Sequence, residues 1–307
     1  MNTDALMKKL NTPTGVIDAI LDTDAYNEID DQFALAYMLL SPERINVKGI
    51  CAAPFHNSLS NGPLDGMIKS YDEILKILTL MNKEDMKNHV FKGSDKYLPD
   101  EKTPVMSDAA QFIATQAREH TPDNPLYVVA IGAITNVASA ILMDKDAMVN
   151  NTVIVWLGGH SKDWVDTKEF NMYQDIAAAR VVMLCGAPFV QLPCMGVVSE
   201  LRTTEWELKN WLDGQNDLAT YLYQNTRNAV KHRWNMAWSR VIWDVSAVAW
   251  LLNDNDRFMK SYLIPTIVAQ YDGKYSFDPR NHPMRYVYTV RRDDIFTDLF
   301  TKIRNCK

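Results

Sequence analysis

The sequence predicts an α/β fold, in which a mostly parallel, Rossmann-like open sheet is flanked by helices and followed by a mainly helical C-terminal part. Short apolar runs alternate with segments of helical periodicity as far as residue 192. Strands that are apolar on both faces are typical of a parallel sheet covered by helices on both sides. After residue 200 the pattern becomes mainly helical, and no linker interrupts the chain. We therefore expect a single domain over residues 1–307.

The predicted strands are apolar runs over residues 16–21, 45–53, 126–131, 152–157 and 189–192. Two later runs, residues 262–270 and 284–290, predict a hairpin across the turn Asp272-Gly273. The predicted helices have apolar side chains at helical spacing. They cover residues 31–40, 64–81, 107–119, 135–143, 175–185, 203–212, 216–232, 244–253 and 293–303.

Composition argues against several classes of protein. The net charge is −6 without a long run of one sign, which disfavours a nucleic-acid surface. No apolar stretch reaches the roughly 18 residues of a membrane span. The N-terminal residues lack the features of a signal peptide, so we expect a cytoplasmic protein. The scattered cysteines contain no CxxC pair and predict reduced thiols rather than a zinc site.

The most informative segment lies between the first predicted strand and the first predicted helix. Within ten residues it carries Asp22, Asp24, Glu28, Asp30 and Asp31. Ligand sites in open α/β sheets lie at the carboxyl ends of strands. Because like charges repel, such crowding indicates a cation or a proton among them, and oxygen ligands favour calcium or magnesium. The spacing alone also fits a solvated turn in which an aspartate caps the helix.

Polar side chains also follow three later strands. They are His56, Asn57, Thr135, Asn136, His160, Glu169 and Asn171. Each of them alone is more typical of a turn or a helix cap. Because parallel strands end at one edge of a sheet, their joint occurrence predicts a single cleft shared with the acidic segment.

Several of these segments resemble the nucleoside hydrolases, the inosine–uridine-preferring N-ribohydrolase family. Asp22-Thr23-Asp24 with Asp30-Asp31 is similar to the aspartate signature of that family. Residues 130–136 (AIGAITN) resemble its Gly-Pro-Leu-Thr-Asn segment, and residues 157–159, 169–171 and 175–178 resemble three further blocks. Trp243-Asp244 lies where the family has a late metal-binding aspartate. The matches run in order over residues 16–250.

The resemblance implies a bound calcium ion (Ca2+) and hydrolysis of the N-glycosidic bond of ribonucleosides to free base and ribose. Asp24, Asp31 and Asp244 would supply carboxylate ligands, and Thr135 a backbone carbonyl. Water and two ribose hydroxyls would complete the six to eight oxygens that calcium takes. A metal-bound water would attack the sugar, with Asp24 as the base.

The resemblance also implies how the nucleoside is held. Asp30, Asn57 and Asp244 would bind the 2′/3′ edge of the ribose, Asn171 the 3′ side, and Glu169 the 5′-hydroxyl. Trp243, Asn27 and His56 are the expected contacts of the base. We expect this small molecule to be the partner, with no nucleic acid and no membrane, and we expect a homo-oligomer, either a dimer or a tetramer.

Two departures from the family bear on the base. Five residues, Ala25 to Ile29, separate the first metal aspartate from the aspartate pair, where the family usually has three. We therefore expect Asn27 or Glu28 to point into the site. Many members have a histidine before the late aspartate, whereas Trp243 resembles the purine-specific members, which stack the base. Tryptophan cannot serve as a general acid, because its indole N–H is a neutral donor.

The sequence leaves open which base is preferred and which residue protonates the departing base. Trp243 favours a purine-leaning enzyme, and His56, His160 and His232 are the remaining candidates for an acid. Trp234, Trp238 and Trp250 fit either core packing or the site. The alternatives are a ribohydrolase for another nucleoside-like metabolite and a non-catalytic calcium- or ribose-binding protein, because a fold does not fix a function.

Overall fold

The structure, a computed structural model, describes residues 3–230 and 237–306. Its α-helices are α1 (Thr3–Lys9), α2 (Asp31–Leu39), α3 (Pro63–Leu80), α4 (Asp108–Glu119), α5 (Thr135–Met143), α6 (Lys145–Asn151), α7 (Phe170–Gln174), α8 (Ile176–Leu184), α9 (Glu205–Leu212), α10 (Asp217–Ala229), α11 (Val245–Leu251) and α12 (Arg292–Arg304). Its strands are β1 (Ile17–Thr23), β2 (Ile45–Ala52), β3 (Val90–Lys92), β4 (Leu126–Ala130), β5 (Thr152–Leu157), β6 (Phe189–Leu192), β7 (Arg202–Thr204), β8 (Ser239–Val241), β9 (Met259–Pro265), β10 (Val268–Ala269), β11 (Tyr275–Ser276) and β12 (Pro283–Val290).

The central sheet has eight strands in the order β3-β2-β1-β4-β5-β6-β12-β9. All neighbouring strands pair in parallel except β9, which is antiparallel to β12 at the edge. The mostly parallel α/β fold is therefore confirmed. The first six strands follow the Rossmann order, which reverses direction between β1 and β4. In such sheets the ligand crevice opens outside the carboxyl ends of the strands at that point.

Each face of the sheet packs against its own hydrophobic cluster. Leu21 and Val129 belong to one cluster, whereas Ile20 and Val128, their neighbours in sequence, belong to the other. Side chains alternate between the two faces of a strand, so both faces of β1 and β4 are buried. This explains why these strands are apolar without interruption, as parallel strands between helical layers are.

The C-terminal part differs from the sequence prediction in one respect. β9 and β12 do pair, but they join the main sheet beside β6 and contribute to it. The turn at Asp272-Gly273 closes a separate small hairpin of β10 and β11, so the predicted connection was wrong. Gly273 has a φ of 79°, which a tight turn requires of glycine. Within the described residues, no helix combines the length and apolarity that crossing a membrane requires.

Candidate active site

The acidic segment is buried at the point where the strand order reverses. Asp24 follows β1 and is 0% exposed, and Asp30 and Asp31 are also buried. Asp30 is the N-cap residue of α2, but its side chain makes no capping hydrogen bond. It accepts the backbone N–H of Trp243 at 2.9 Å, and Asp31 accepts the hydroxyl of Thr23 at 2.5 Å. The segment is therefore not a solvated, capping turn.

Asp244 joins this group from a distant part of the chain. It is the N-cap of α11, is buried, and makes no capping hydrogen bond either. One carboxylate oxygen from each of Asp30, Asp31 and Asp244 lies within 4.8 Å of the others. Three acidic side chains thus converge where α2 and α11 begin.

Asp24 lies beside this trio, although it is not one of the three. Among the described residues, neither of its carboxylate oxygens has a hydrogen-bond partner. A Cβ atom at Gly132 would lie 2.9 Å from the Asp24 Cγ, so glycine is needed where the chain leaves β4. A buried carboxylate without partners is costly, and it indicates a ligand for those oxygens.

The raised pKa values of the four aspartates also indicate a bound cation. Burial raises the pKa of Asp24 well above its usual value, and the charge of Asp31 raises it further. Burial, followed by neighbouring carboxylates, also raises the pKa values of Asp30 and Asp244. For Asp31, burial raises the pKa to about 6. A divalent cation would remove this penalty, and the all-oxygen donor set fits calcium or magnesium.

A cavity of about 260 Å³ opens over Asp30, Asp31 and Asp244, whereas Asp24 is not part of its lining. Its lining includes nine residues that the sequence singled out, namely Asn27, Glu28, Asp30, Asp31, His160, Glu169, Asn171, Trp243 and Asp244. The cavity therefore brings the acidic segment together with the strand ends of β5 and the start of α11, as the shared edge of the sheet predicts.

Glu169 and Asn171 form a rigid part of the cavity wall. Glu169 caps α7 by accepting the N–H groups of Asn171 and Met172, and it also accepts that of Gly159 at 2.8 Å. The Asn171 amide donates to the Ile131 and Leu157 carbonyls at 3.0 and 3.1 Å. Burial raises the pKa of Glu169, and the backbone N–H groups partly offset this shift. Both side chains are thus fixed before any ligand arrives.

The sequence model of the inosine-uridine preferring nucleoside hydrolase family matches residues 19–296. The chain belongs to this family. Over 258 residues it is 25% identical to the pyrimidine-specific ribonucleoside hydrolase RihA of Salmonella paratyphi B, covering 76% of this chain and 78% of that protein. Family membership and such relatives identify the chain as an enzyme that hydrolyses ribonucleosides.

Solved structures of nucleoside hydrolases share the fold. A plant nucleoside hydrolase superposes with a TM-score of 0.75 at 20% identity, covering 94% of this chain and 99% of the other. A purine-preferring ribonucleoside hydrolase from Gardnerella vaginalis superposes with a TM-score of 0.72 at 21% identity, covering 94% and 98%. The two chains are similar to this nucleoside hydrolase in architecture.

Besides Asp24, three predicted site residues of this nucleoside hydrolase do not line the cavity. Thr135 begins α5, and its hydroxyl donates to Asp175 at 2.7 Å. Asn57 is half-buried in a neighbouring cavity and donates to the Asn27 side-chain oxygen at 2.6 Å. His56 is exposed, and its backbone N–H donates to Gln174. Their roles as metal, ribose and base contacts stay predictions.

Of the remaining aromatic and histidine candidates, two are buried, two line the cavity, and two lie outside the described residues. Trp250 is fully buried in the core, and Trp238 is also buried, whereas Trp243 lines the cavity. His160 lines the cavity as well, and burial lowers its pKa. His232 and Trp234 lie outside the described residues.

Sequence reasoning missed the role of Cys194 in the cavity wall. Cys194 follows β6, and its thiol is buried against Glu169. Burial raises the pKa of this thiol well above its usual value, and the charge of Glu169 raises it further. The signal was available, because Cys194 follows a strand end of the same sheet edge. Met195 and Phe170 also line the cavity and make part of it apolar.

Proposed function

We propose that this nucleoside hydrolase binds calcium through Asp24, Asp31, Asp244 and the backbone carbonyl of Thr135. The observation that carries this proposal is the buried acidic group in which both oxygens of Asp24 lack a partner among the described residues. When bound, the cation would favour deprotonation of a water molecule and orient the ribose hydroxyls. Asp30, whose oxygen lies within 4.8 Å of those of Asp31 and Asp244, would hold the sugar beside the cation.

Asp24 is the proposed base. No hydrogen-bond donor of the described chain competes for its oxygens, so they are free to take the proton of the attacking water. Attack on the anomeric carbon breaks the N-glycosidic bond and yields ribose and the free base.

The proposed ribose site uses groups that are already fixed. Asp30 and Asp244, with Asn57, would hold the 2′/3′ edge, Asn171 the 3′ side, and Glu169 the 5′-hydroxyl. The three backbone N–H groups on Glu169 and the two carbonyls bound to Asn171 orient these side chains in advance. Holding the sugar at several points lowers the entropic cost of the reaction.

We further propose a purine-leaning enzyme, with Trp243, Asn27 and His56 as contacts of the base. The indole of Trp243 in the cavity wall supports this preference, because an aromatic ring can stack on a purine. The names of the relatives give different base preferences, since RihA is pyrimidine-specific and the Gardnerella protein is purine-preferring. A cytoplasmic homo-oligomer, dimer or tetramer, completes the proposal, and light scattering tests its oligomeric state.

A reducing-sugar assay tests the proposal directly. The enzyme is incubated with each of five nucleosides, namely inosine, guanosine, adenosine, uridine and cytidine. Each incubation is done without a chelator, after addition of a chelator, and then with added calcium or magnesium. We expect release of ribose that the chelator abolishes and calcium restores, with the purine nucleosides hydrolysed faster. Calcium binding without release from any nucleoside would instead support a binding protein on the same scaffold. Release that is insensitive to chelation would contradict the metal site.

A further inference from the structure

The carboxylate cavity lies beside a second and larger one of about 520 Å³. Asn27 and Glu28 line both cavities, so the unusually long segment between Asp24 and Asp30 forms the boundary between them. The second cavity is polar, with Asn57, Tyr221 and Asn225 in its wall. A nucleoside whose sugar occupies the first cavity and whose base stacks on Trp243 in its wall has room in the second cavity for the far edge of that base.

Arg240 is the only lysine or arginine among the described residues that line the two cavities. Its Nη2 donates to a carboxylate oxygen of Glu28 at 2.6 Å, whereas its buried Nε has no hydrogen-bond partner in the described chain. Arg240 lies in β8, and Trp243 and Asp244 follow it closely in sequence. The side chains of the pair are 33% and 41% exposed, so the ion pair contributes little to folding.

The reaction needs a positive charge where the base departs. When the bond from the anomeric carbon to the base nitrogen breaks, its electron pair leaves with the base. The negative charge spreads onto the carbonyl oxygens of the base before a proton arrives from solvent. Trp243 offers only a neutral indole N–H and cannot supply that proton. A guanidinium stays charged and donates to such oxygens and to adjacent ring nitrogens.

We propose that Arg240, anchored by Glu28, determines base specificity by donating hydrogen bonds in the second cavity to the 6-oxo group of a departing purine or the 4-oxo group of a departing pyrimidine. This inference rests on the proposed hydrolysis of ribonucleosides. Guanidinium has donors and no acceptor, so it pairs with the 6-oxo group of hypoxanthine or the 4-oxo group of uracil and not with the amino group that adenine or cytosine carries at that position. Inosine is therefore favoured over adenosine among the purine nucleosides, and uridine over cytidine among the pyrimidine nucleosides.

The variants Arg240→Gln and Arg240→Lys test this role with three kinds of substrate. Inosine and uridine carry the oxo group, adenosine and cytidine carry the amino group, and p-nitrophenyl riboside has a leaving group that needs no assistance. For Arg240→Gln we expect kcat/KM for inosine and uridine to fall about 10- to 100-fold, the size of a lost charged hydrogen bond. Arg240→Lys keeps the charge and should recover part of this loss, while hydrolysis of p-nitrophenyl riboside should change less than about 3-fold, within the range of a neutral surface substitution.

Arg280→Gln is the matched control, because that side chain is 88% exposed and pairs only with Asp278 among the described salt bridges. It should leave all five substrates unchanged. Equal losses on every substrate for Arg240→Gln, or no loss on any, would overturn the role of Arg240. Wild-type enzyme that fails to hydrolyse even p-nitrophenyl riboside would instead overturn the proposed function, and this inference with it.

Discussion

The backbone N–H of Trp243 donates a hydrogen bond to the carboxylate of Asp30 across 2.9 Å. This bond ties the segment before α11 to the start of α2, which lie far apart in sequence. It orients Asp30 toward Asp31 and Asp244 and holds the indole of Trp243 in the cavity wall. The carboxylates of the proposed sugar site and the proposed aromatic contact of the base are thus positioned by one interaction.

Replacing Asp24 should remove activity without unfolding the enzyme. Asp24→Asn keeps the shape of the side chain but removes the charge and the basic oxygen. We expect kcat to fall at least about 10²- to 10⁴-fold, the range for loss of a general base. Steady-state kinetics measure this effect, and Asp293→Asn is the control because that side chain is 88% exposed. Near-normal turnover by Asp24→Asn would remove Asp24 from the mechanism.

The buried aspartates predict how stability depends on pH when the metal is removed. In the folded protein, burial raises the pKa to about 6 for Asp31 and about 7 for Asp22, above the usual value in the unfolded chain. The folded state therefore binds more protons, and its stability is lost as pH rises through these values. After chelation, Tm should fall as pH rises from about 4, near the usual value of 3.8, to about 7, and should level off above that.

Calcium should reverse this fall, because it binds only the deprotonated carboxylates of the folded state. Differential scanning fluorimetry across the same pH range, with chelator or with calcium, measures both effects. Asp31→Asn removes one of the titrating groups and should flatten the pH dependence of the chelated enzyme. A chelated enzyme whose Tm rises over that range would show that these carboxylates are not destabilising.

The fold was predictable because its strongest signal is local. Residues 126–131 and 152–157 are apolar throughout, and they form β4 and β5 with nearly the predicted ends. The connection of the late hairpin was not predictable, because β9 and β12 pair across the small β10–β11 hairpin that contains the better turn. Short elements such as β3 span too few residues to produce a periodic pattern.

The site was predictable in part because three of its aspartates lie close together in the sequence. Asp24, Asp30 and Asp31 lie within one segment, and Asp244 was found by its resemblance to a family motif. Arg240 and Glu28 were not paired by sequence reasoning, because their contact depends on how β8 packs against the loop before α2. Cys194 was missed because a lone cysteine forms no spaced motif, although its position after a strand of the same sheet edge was visible in the sequence.

Gly132 should be intolerant of any side chain because of its contact with Asp24. In Gly132→Ala the added Cβ would approach the Asp24 Cγ to 2.9 Å, closer than carbon atoms pack without movement. The displaced carboxylate should weaken calcium binding and lower kcat, and overpacking should cost about 1–3 kcal/mol of stability. Isothermal titration with calcium and thermal unfolding measure the two effects. Unchanged calcium affinity would mean that Asp24 moves freely or is not a ligand.

Trp243 should act on the base and not on the sugar. Trp243→Ala removes the stacking surface but keeps the backbone N–H that Asp30 accepts, so the sugar site stays in place. We expect kcat/KM for purine nucleosides to fall about 10-fold or more, as for loss of base stacking, and to fall less for pyrimidine nucleosides. Trp206→Ala is a matched control, because Trp206 is 61% exposed on α9. Equal losses for purine and pyrimidine nucleosides would assign Trp243 to packing and would leave the purine preference without support.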